Sequence, residues 1–387
     1  MWHLASDTLA ASDIDALADW LRTHPRLTQG EQVRAFERQW SSWLGSAESV
    51  MVSNGSTANF ALLACTARRI GKRHPRVGVA AVTWSTNVTP ALLMGWPVTV
   101  FDVDPRTLGV DAEQVCSAMR NGDLDILFVT HLLGLNALSP AIVETAAATG
   151  VALVEDCCEA HGARYGARRV GTVGLGSTFS FYFGHHMSTI EGGMICTDDP
   201  AFADDLRLMR AHGLARESHD FDALAAQHPE IDRRFLFVMP GLNFRSTELN
   251  AFLGKRQLAQ LDERIGVRNR NMSTFLDRVR NSPVAGAIRT DYATEGMSSF
   301  ALPLVSRDAA THRRVREIVD QLGVESRPVV AGNLAHQPML AGYDVTVRPT
   351  PVADHVHTCG LYVGNGHHVG EPMVHQLVDG LVAGLAT

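Results

Sequence analysis

The chain has 387 residues, 45% of them hydrophobic and 19% charged, enough to bury a large core and, by length, to form two domains or one large and one small. A formal charge of −7 and a pI near 6.2 provide no basic face for nucleic acid or an anionic membrane surface. No apolar run reaches the roughly 20 residues that span a bilayer, and Met1-Trp2-His3-Leu4-Ala5-Ser6-Asp7 lacks the basic start and apolar stretch of a signal peptide, so a cytoplasmic location is expected.

Residues 8–44 carry helical periodicity: Ile14, Leu17, Trp20 and Leu21 share one face, and Val33, Phe36, Trp40 and Trp43 another, with a loop at 24–30 between them. A strand at 49–52 follows, and Ser53-Asn54-Gly55-Ser56-Thr57 turns it into an apolar helix. Strands at 77–82, 97–101, 126–130 and 151–155 then alternate with helices at 87–93, 111–120 and 141–149. That order predicts a mainly parallel sheet with helices on both faces, in which ligands gather at the carboxyl ends of the strands. Strands at 179–183 and 194–196 flank a polar hairpin that carries His185-His186 and turns on Gly192-Gly193. A helix at 202–211, a polar excursion at 217–240 and a strongly helical stretch at 246–280 come next, and the remainder mixes short strands with helices at 312–322 and 373–385. A junction near 255 is expected, dividing a large domain (1–255) from a smaller C-terminal α+β domain (256–387).

The cysteines at 65, 116, 157, 158, 196 and 359 form no CxxC pair, and vicinal Cys157-Cys158 cannot bridge without strain, so reduced thiols are expected. Lysine occurs only at Lys72 and Lys255.

Three constellations carry chemistry. Gly55, Ser56 and Thr57 sit where helix-end amides and the helix dipole can bind a phosphate, although hydroxyl residues also cap helices for structural reasons. Glu155 and Asp156 end an apolar strand at the ligand-bearing edge. A buried aspartate there requires a cation, either an arginine or a protonated ring nitrogen whose charge it would preserve. Trp84 follows another strand end and could stack on a planar ring or simply fill the core.

In order, Ser53-Asn54-Gly55-Ser56-Thr57-Ala58, Trp84, Glu155-Asp156-Cys157-Cys158-Glu159-Ala160-His161-Gly162, Ser180, Glu191-Gly192-Gly193 and Gly241-Leu242-Asn243-Phe244-Arg245 resemble the pyridoxal-phosphate sugar aminotransferases of the DegT/DnrJ/EryC1/StrS family over nearly the whole chain. The resemblance implies a fold-type I transferase architecture. It also implies that Gly55, Ser56 and Ser180 bind the cofactor phosphate, Trp84 covers the ring, Asp156 pairs with the ring nitrogen and Glu159 lies near the ring hydroxyl. Asn243 resembles the residue lent to a second subunit's phosphate, which implies a homodimer.

One position departs from the aminotransferase pattern. Six residues before Glu191, where those enzymes carry the lysine that holds the cofactor covalently, stands His185. Phe181-Tyr182-Phe183-Gly184-His185-His186-Met187 resembles the family's dehydratase branch. That resemblance implies removal of the C3 hydroxyl from a nucleotide-linked 4-keto-6-deoxy sugar, GDP-4-keto-6-deoxymannose being the favoured substrate. Pyridoxamine phosphate would be the working cofactor and glutamate its amino donor. An imidazole can remove a proton near neutral pH but cannot trap the cofactor aldehyde. His186 is expected to orient its neighbour or serve structure, and His212, Arg216, Arg245 and Arg327 are candidates for substrate contacts. The other readings are a sugar aminotransferase with a relocated base, a catalytically silent scaffold, and a metal hydrolase on His161, His185, His186 and His212. Adjacent histidines suit common ligand spacings poorly, so no metal is expected.

Overall fold

The computed structural model describes residues 1–386. Its strands are Glu48–Val52 (β1), Val77–Ala80 (β2), Val98–Phe101 (β3), Ile126–Thr130 (β4), Ala152–Asp156 (β5), Arg164–Tyr165 (β6), Arg168–Arg169 (β7), Gly176–Ser180 (β8), Gly193–Thr197 (β9), Ala301–Val305 (β10), Ser326–Pro328 (β11), Val345–Val347 (β12) and Gly360–Gly364 (β13). Eight form one sheet in the order β1-β9-β8-β5-β4-β2-β3-β12, in which β9 alone is antiparallel to its neighbours. Apart from Ala152 at the start of β5, every residue of β2, β4 and β5 is buried, as continuous apolar strands covered on both faces should be. A separate three-stranded antiparallel sheet, β10-β13-β11, lies in the C-terminal third.

Local capping chemistry sets the helix starts. Asn54 accepts from the Thr57 amide at 2.9 Å to open Gly55–Arg69, and Asp111 accepts from the Gln114 amide at 2.8 Å to open Ala112–Arg120. Asp199 and Ser139 cap helices whose first residue is proline, where the missing N–H costs nothing.

Long-range packing redraws four expectations. The strand expected at 179–183 is Gly176–Ser180, because pairing with β9 stops at Ser180–Gly193 and the chain then leaves the sheet. Bonds from Phe181 N to Gly192 O and from Thr189 N to Phe181 O, both 2.9 Å, close the neck of the resulting loop. The helical stretch 246–280 is two helices, Glu248–Leu258 and Leu261–Arg280, broken at Ala259–Gln260. In Ala11–Leu21 the buried residue is Asp13, paired with Arg256 at 2.7 Å, whereas Ile14 is exposed. Finally, β12 comes from beyond residue 255 yet extends the large sheet, pairing parallel with β3. Among the described residues no helix is long and apolar enough to cross a membrane.

A second apolar core lies beneath the loop between β8 and β9. Trp40 is fully buried, its ring 5.1 Å from Phe179, 4.9 Å from Phe181 and 5.6 Å from His161. Trp40→Ala would leave a large cavity under the loop. It should cost about 3–5 kcal/mol, read as a lowered urea midpoint; a midpoint unchanged from the parent would show that this core does not carry the loop.

Candidate active site

The carboxyl ends of β1, β5 and β8, with the turn after β2, meet at a cavity of about 600 Å³. Gly55, Ser56, Trp84, Asp156, Glu159, Ser180, His185 and Arg327 all line it. β1 runs through Ser53-Asn54 into the amino end of helix Gly55–Arg69, whose free amides and dipole favour an anion. Gly55 has to be glycine: a Cβ there would lie 2.8 Å from the Ser180 Cβ and 3.2 Å from the Cys158 sulfur. The Ser56 and Ser180 hydroxyls flank the same end. Together they leave an anion-favouring space that any larger side chain at 55 would fill.

Asp156 is 5% exposed, and its Oδ2 accepts from Asn87 Nδ2 at 2.8 Å and Asn59 Nδ2 at 3.1 Å while Oδ1 accepts from the Cys158 amide at 2.9 Å. Among the described residues no basic side chain forms an ion pair with it. Three neutral donors hold the carboxylate in place without cancelling its charge, and a protonated ring nitrogen would complete it. That arrangement fits pyridoxal phosphate. Neighbouring Glu155 does something different. It is fully buried, pairs with His131 at 3.1 Å and accepts from the Gly171, Val173 and Gly174 amides at 2.8–2.9 Å. Burial pushes its pKa up, but His131 and these amides outweigh it and hold the carboxyl below its usual range. Glu155 therefore ties a loop to the sheet. His131, Glu155 and Cys157 lie close enough to hold a metal, but those backbone and imidazole bonds already occupy the carboxylate.

Glu159 accepts from the Leu133 amide at 2.9 Å, and Leu133 adopts φ 52°, an uncommon conformation for leucine that fixes the turn. Burial, helped by the charge of Asp156, raises the Glu159 pKa to about 7 against the pull of that amide. Trp84 is exposed to the cavity, as an unpaired stacking surface is.

His185 is half-buried on the loop wall. Enclosure by the protein depresses its pKa to about 4; Asp156 opposes the shift and Arg268 adds to it. Its Nδ1 has no hydrogen-bond partner. His186 points elsewhere: it is fully buried, with Nε2 3.2 Å from both the carbonyl and hydroxyl oxygens of Ser298. Burial drives its pKa and that of His161 well below 6.5. Arg268, 4% exposed, donates to Phe300 O at 2.8 Å and to the His185 carbonyl at 3.4 Å. Burial without a carboxylate lowers its pKa to about 10.

His212, Arg216, Asn243 and Arg245 lie outside the cavity. His212, with φ 64°, and Asn243 are exposed on the segment where Ala211 and Asn243 bridge. Several residues that build the site escape notice in the sequence. Asn59 is one helical turn after Gly55 and Asn87 three residues after Trp84, so both were within reach of a spacing argument. Arg268, Glu325 and Tyr362 arrive from the distant C-terminal part, and no local pattern marks them.

Residues 8–382 match the model of the DegT/DnrJ/EryC1/StrS aminotransferase family. The chain belongs to this family. It is 33% identical over 369 residues to GDP-4-keto-6-deoxy-D-mannose 3-dehydratase of Yersinia pseudotuberculosis, covering 94% of this chain and 93% of that one. The same-named protein of Escherichia coli O55:H7 is also 33% identical, over 94% and 95% of the two chains. Among solved structures, E. coli GDP-4-keto-6-deoxy-D-mannose-3-dehydratase with bound hydrated pyridoxal phosphate superposes with a TM-score of 0.91 at 30% identity, covering 98% of this chain and 99% of that one. A GDP-4-keto-6-deoxymannose-3-dehydratase with a trapped pyridoxal-phosphate–glutamate geminal diamine superposes at a TM-score of 0.89 and 29% identity over 98% and 100% of the chains.

Two outcomes follow from the geometry. Gly55→Ala should weaken pyridoxal phosphate binding by about tenfold, ~1.4 kcal/mol, in an absorbance titration; unchanged affinity would place the phosphate elsewhere. The imidazole of His185 should be neutral at pH 6 by ¹⁵N NMR, titrating below its ordinary 6.5. A histidine with a depressed folded-state pKa takes up its proton first in the unfolded chain. Its contribution to stability is therefore present above about pH 6.5 and is lost as pH falls toward 4. A midpoint at or above 6.5 would contradict the enclosure.

Proposed function

We propose that the protein removes the C3 hydroxyl of a nucleotide-linked 4-keto-6-deoxy sugar, GDP-4-keto-6-deoxymannose, using the pyridoxamine form of the cofactor. The observation that carries this is His185 in the cavity wall with no lysine near it. Lys72 pairs with Asp125 at 2.6 Å, Lys255 lies on helix Glu248–Leu258 with its Nζ 6.0 Å from the Phe252 ring, and neither lines the cavity.

When bound, the cofactor supplies an amine that condenses with the C4 ketone and a ring that stores the electrons displaced when a proton is lost. The chain's own residues do the rest. Gly55, Ser56 and Ser180 anchor the phosphate, and Asp156 keeps the ring nitrogen protonated through its charge. His185, biased to the neutral form by its enclosure, would accept at its ring nitrogen the proton lost from the cofactor's amine-bearing carbon, and the C3 hydroxyl would depart with the electron pair of its C–O bond, the bound cofactor supplying the pair that lets it leave. Glu159 retains a proton up to about pH 7 beside the ring. An imidazole makes no covalent link to the cofactor, so release of the sugar nitrogen would fall to water, which would hydrolyse its bond to the cofactor and, after tautomerisation, a second water would displace ammonia to give a 3-deoxy-4-keto sugar. A lysine in its place could recapture the cofactor and return the nitrogen to the sugar. Glutamate restores the amine form in a half-transamination, a step for which the glutamate adduct trapped in the solved relative gives support.

A homodimer is the proposed working unit, with Asn243 reaching the second subunit's cofactor phosphate. Its exposure outside its own chain's cavity supports that role, as does the exposed apolar surface of Phe235, Phe237 and Leu242 on the same segment. His212, Arg216 and Arg245, near that segment, and Arg327, within the cavity, are proposed to meet the substrate diphosphate or the glutamate carboxylates.

Purified protein with pyridoxal phosphate and glutamate should pass from the aldehyde to the amine absorbance, and then release ammonia on addition of the keto sugar. A stable aldehyde band, or an amino sugar as product, would overturn the assignment. His185→Lys should lose deoxygenation by at least about a hundredfold, the usual scale of a general base; full retention of C3 loss would remove His185 from that role.

A further inference from the structure

The dehydratase reading leaves one wall of the cavity without a role, and that wall is the amino-terminal segment. Leu4 and Ala5, half-buried, line the cavity opposite the sheet together with Phe183, Gly184 and Glu325. Chain ends are poorly ordered unless tied down. Here the ties are numerous. Trp2 is 5% exposed, its Nε1 donates to Gly364 O at 2.9 Å, and its backbone pairs in parallel with Val324 through Trp2 N to Gly323 O (3.0 Å) and Glu325 N to Trp2 O (2.8 Å). The Leu4 amide donates to Glu325 Oε2 at 3.0 Å, and the His3 ring meets the other oxygen of that carboxylate at 3.0 Å. On the far side, Thr8 O accepts from Gln257 Nε2 at 3.0 Å and Arg264 Nη2 at 2.9 Å.

The receiving surface is shaped for this strap. A Cβ on Gly364 would stand 2.3 Å from Leu4 O and 2.7 Å from His3 O, so only glycine at the end of β13 lets the segment pass. The strap also faces the hairpin that carries His185: a Cβ on Gly184 would lie 3.9 Å from the Ala5 Cβ. One oxygen of the Glu325 carboxylate holds the strap's own amide and the other its histidine. The strap's own side chains that line the cavity, Leu4 and Ala5, are apolar.

We infer that Leu4 and Ala5, clamped by Trp2 and Glu325, form the substrate-side wall of the active site and select a sugar that presents an apolar edge, such as the methyl of a 6-deoxy hexose. This rests on the keto-sugar reading above. The strap lines the same cavity as Gly55 and Asp156, and Ala5 lies beside Gly184, the neighbour of His185, so the strap bears on the molecule that meets that imidazole. An apolar wall adds transition-state binding for a methyl and cannot satisfy a hydroxyl at the same place.

The test uses the full chain carrying Leu4→Ala, which truncates the wall and leaves the anchors, and separately Trp2→Ala, which releases the anchor. Affinity for GDP-4-keto-6-deoxymannose is measured by calorimetry on the pyridoxal-phosphate form with glutamate absent, alongside cofactor affinity, the glutamate half-reaction and the melting temperature. Both variants should bind the keto sugar about tenfold more weakly, the scale of a lost hydrophobic pocket contact, with cofactor affinity and the half-reaction held within about twofold; Leu4→Met should restore binding. Unchanged keto-sugar affinity in Leu4→Ala would overturn the wall, and so would a loss that cofactor affinity and the half-reaction share, which marks a general folding role. A wild-type protein that binds the keto sugar but produces no deoxygenation would overturn the dehydratase reading while leaving the binding comparison, and hence the wall, to be judged on its own numbers.

Discussion

A buried, uncompensated aspartate is the constraint around which the site is built. Asp156 at the end of β5 is almost fully out of water and receives hydrogen bonds from Asn59, Asn87 and the Cys158 amide, all of them neutral donors. Burying a carboxylate without a counter-charge is costly, so the surrounding residues stabilise its position and leave its charge to act on whatever occupies the cavity. Asn59 is itself set by Thr178, whose hydroxyl donates to its Oδ1 at 2.6 Å, so the strand beside β5 and the helix that opens at Gly55 both orient the same carboxylate. The turn at Gly55 and the Asp156 carboxylate are thus one mechanical unit, joined where a Cβ on Gly55 would lie 2.8 Å from the Ser180 Cβ.

The hairpin between β8 and β9 answers to a different physics. Its apolar underside, with Phe179, Phe181 and Met187 packed on Trp40, is ordinary core, but three imidazoles and a guanidinium are enclosed alongside it. Enclosure penalises the charged form of each group, and Arg268 adds like-charge repulsion, so His161, His185 and His186 are all biased to be neutral. For His161 and His186 that neutrality is structural. For His185, the one of the three that lines the cavity, it makes the ring a proton acceptor. Burial that elsewhere only secures packing here biases the protonation state of a cavity-lining imidazole.

Part of the cavity is assembled from the two ends of the chain. Residues 2–5 lie against the strand ends of the β10-β13-β11 sheet, and Arg327 and Tyr362 from that sheet complete the cavity opposite Trp84. One part of the cavity therefore comes from a run of alternating strands and turns, and another from segments more than 300 residues apart, which Trp2–Gly364 and Leu4–Glu325 bring together. Such a division lets a fold keep its cofactor chemistry while the groups that meet the sugar vary.

The sequence alone determined the mainly parallel sheet, the strand-to-helix turn at Gly55, the two carboxylates at the end of β5 and the placing of His185 where the family's aminotransferases carry lysine, because each is written in residues adjacent along the chain, where backbone chemistry and spacing decide the outcome. Only the tertiary structure separated Glu155 from Asp156: one residue apart on a strand, their side chains enter opposite faces, one meeting His131 and loop amides and the other the cavity. Likewise only folding exposed Ile14, broke the helix at Gln260, moved β12 into the large sheet and left Arg327 as the cavity-lining member of four candidate substrate residues. These outcomes depend on which distant surfaces meet, and a one-dimensional pattern carries hydrophobicity and local geometry but not the identity of the neighbour.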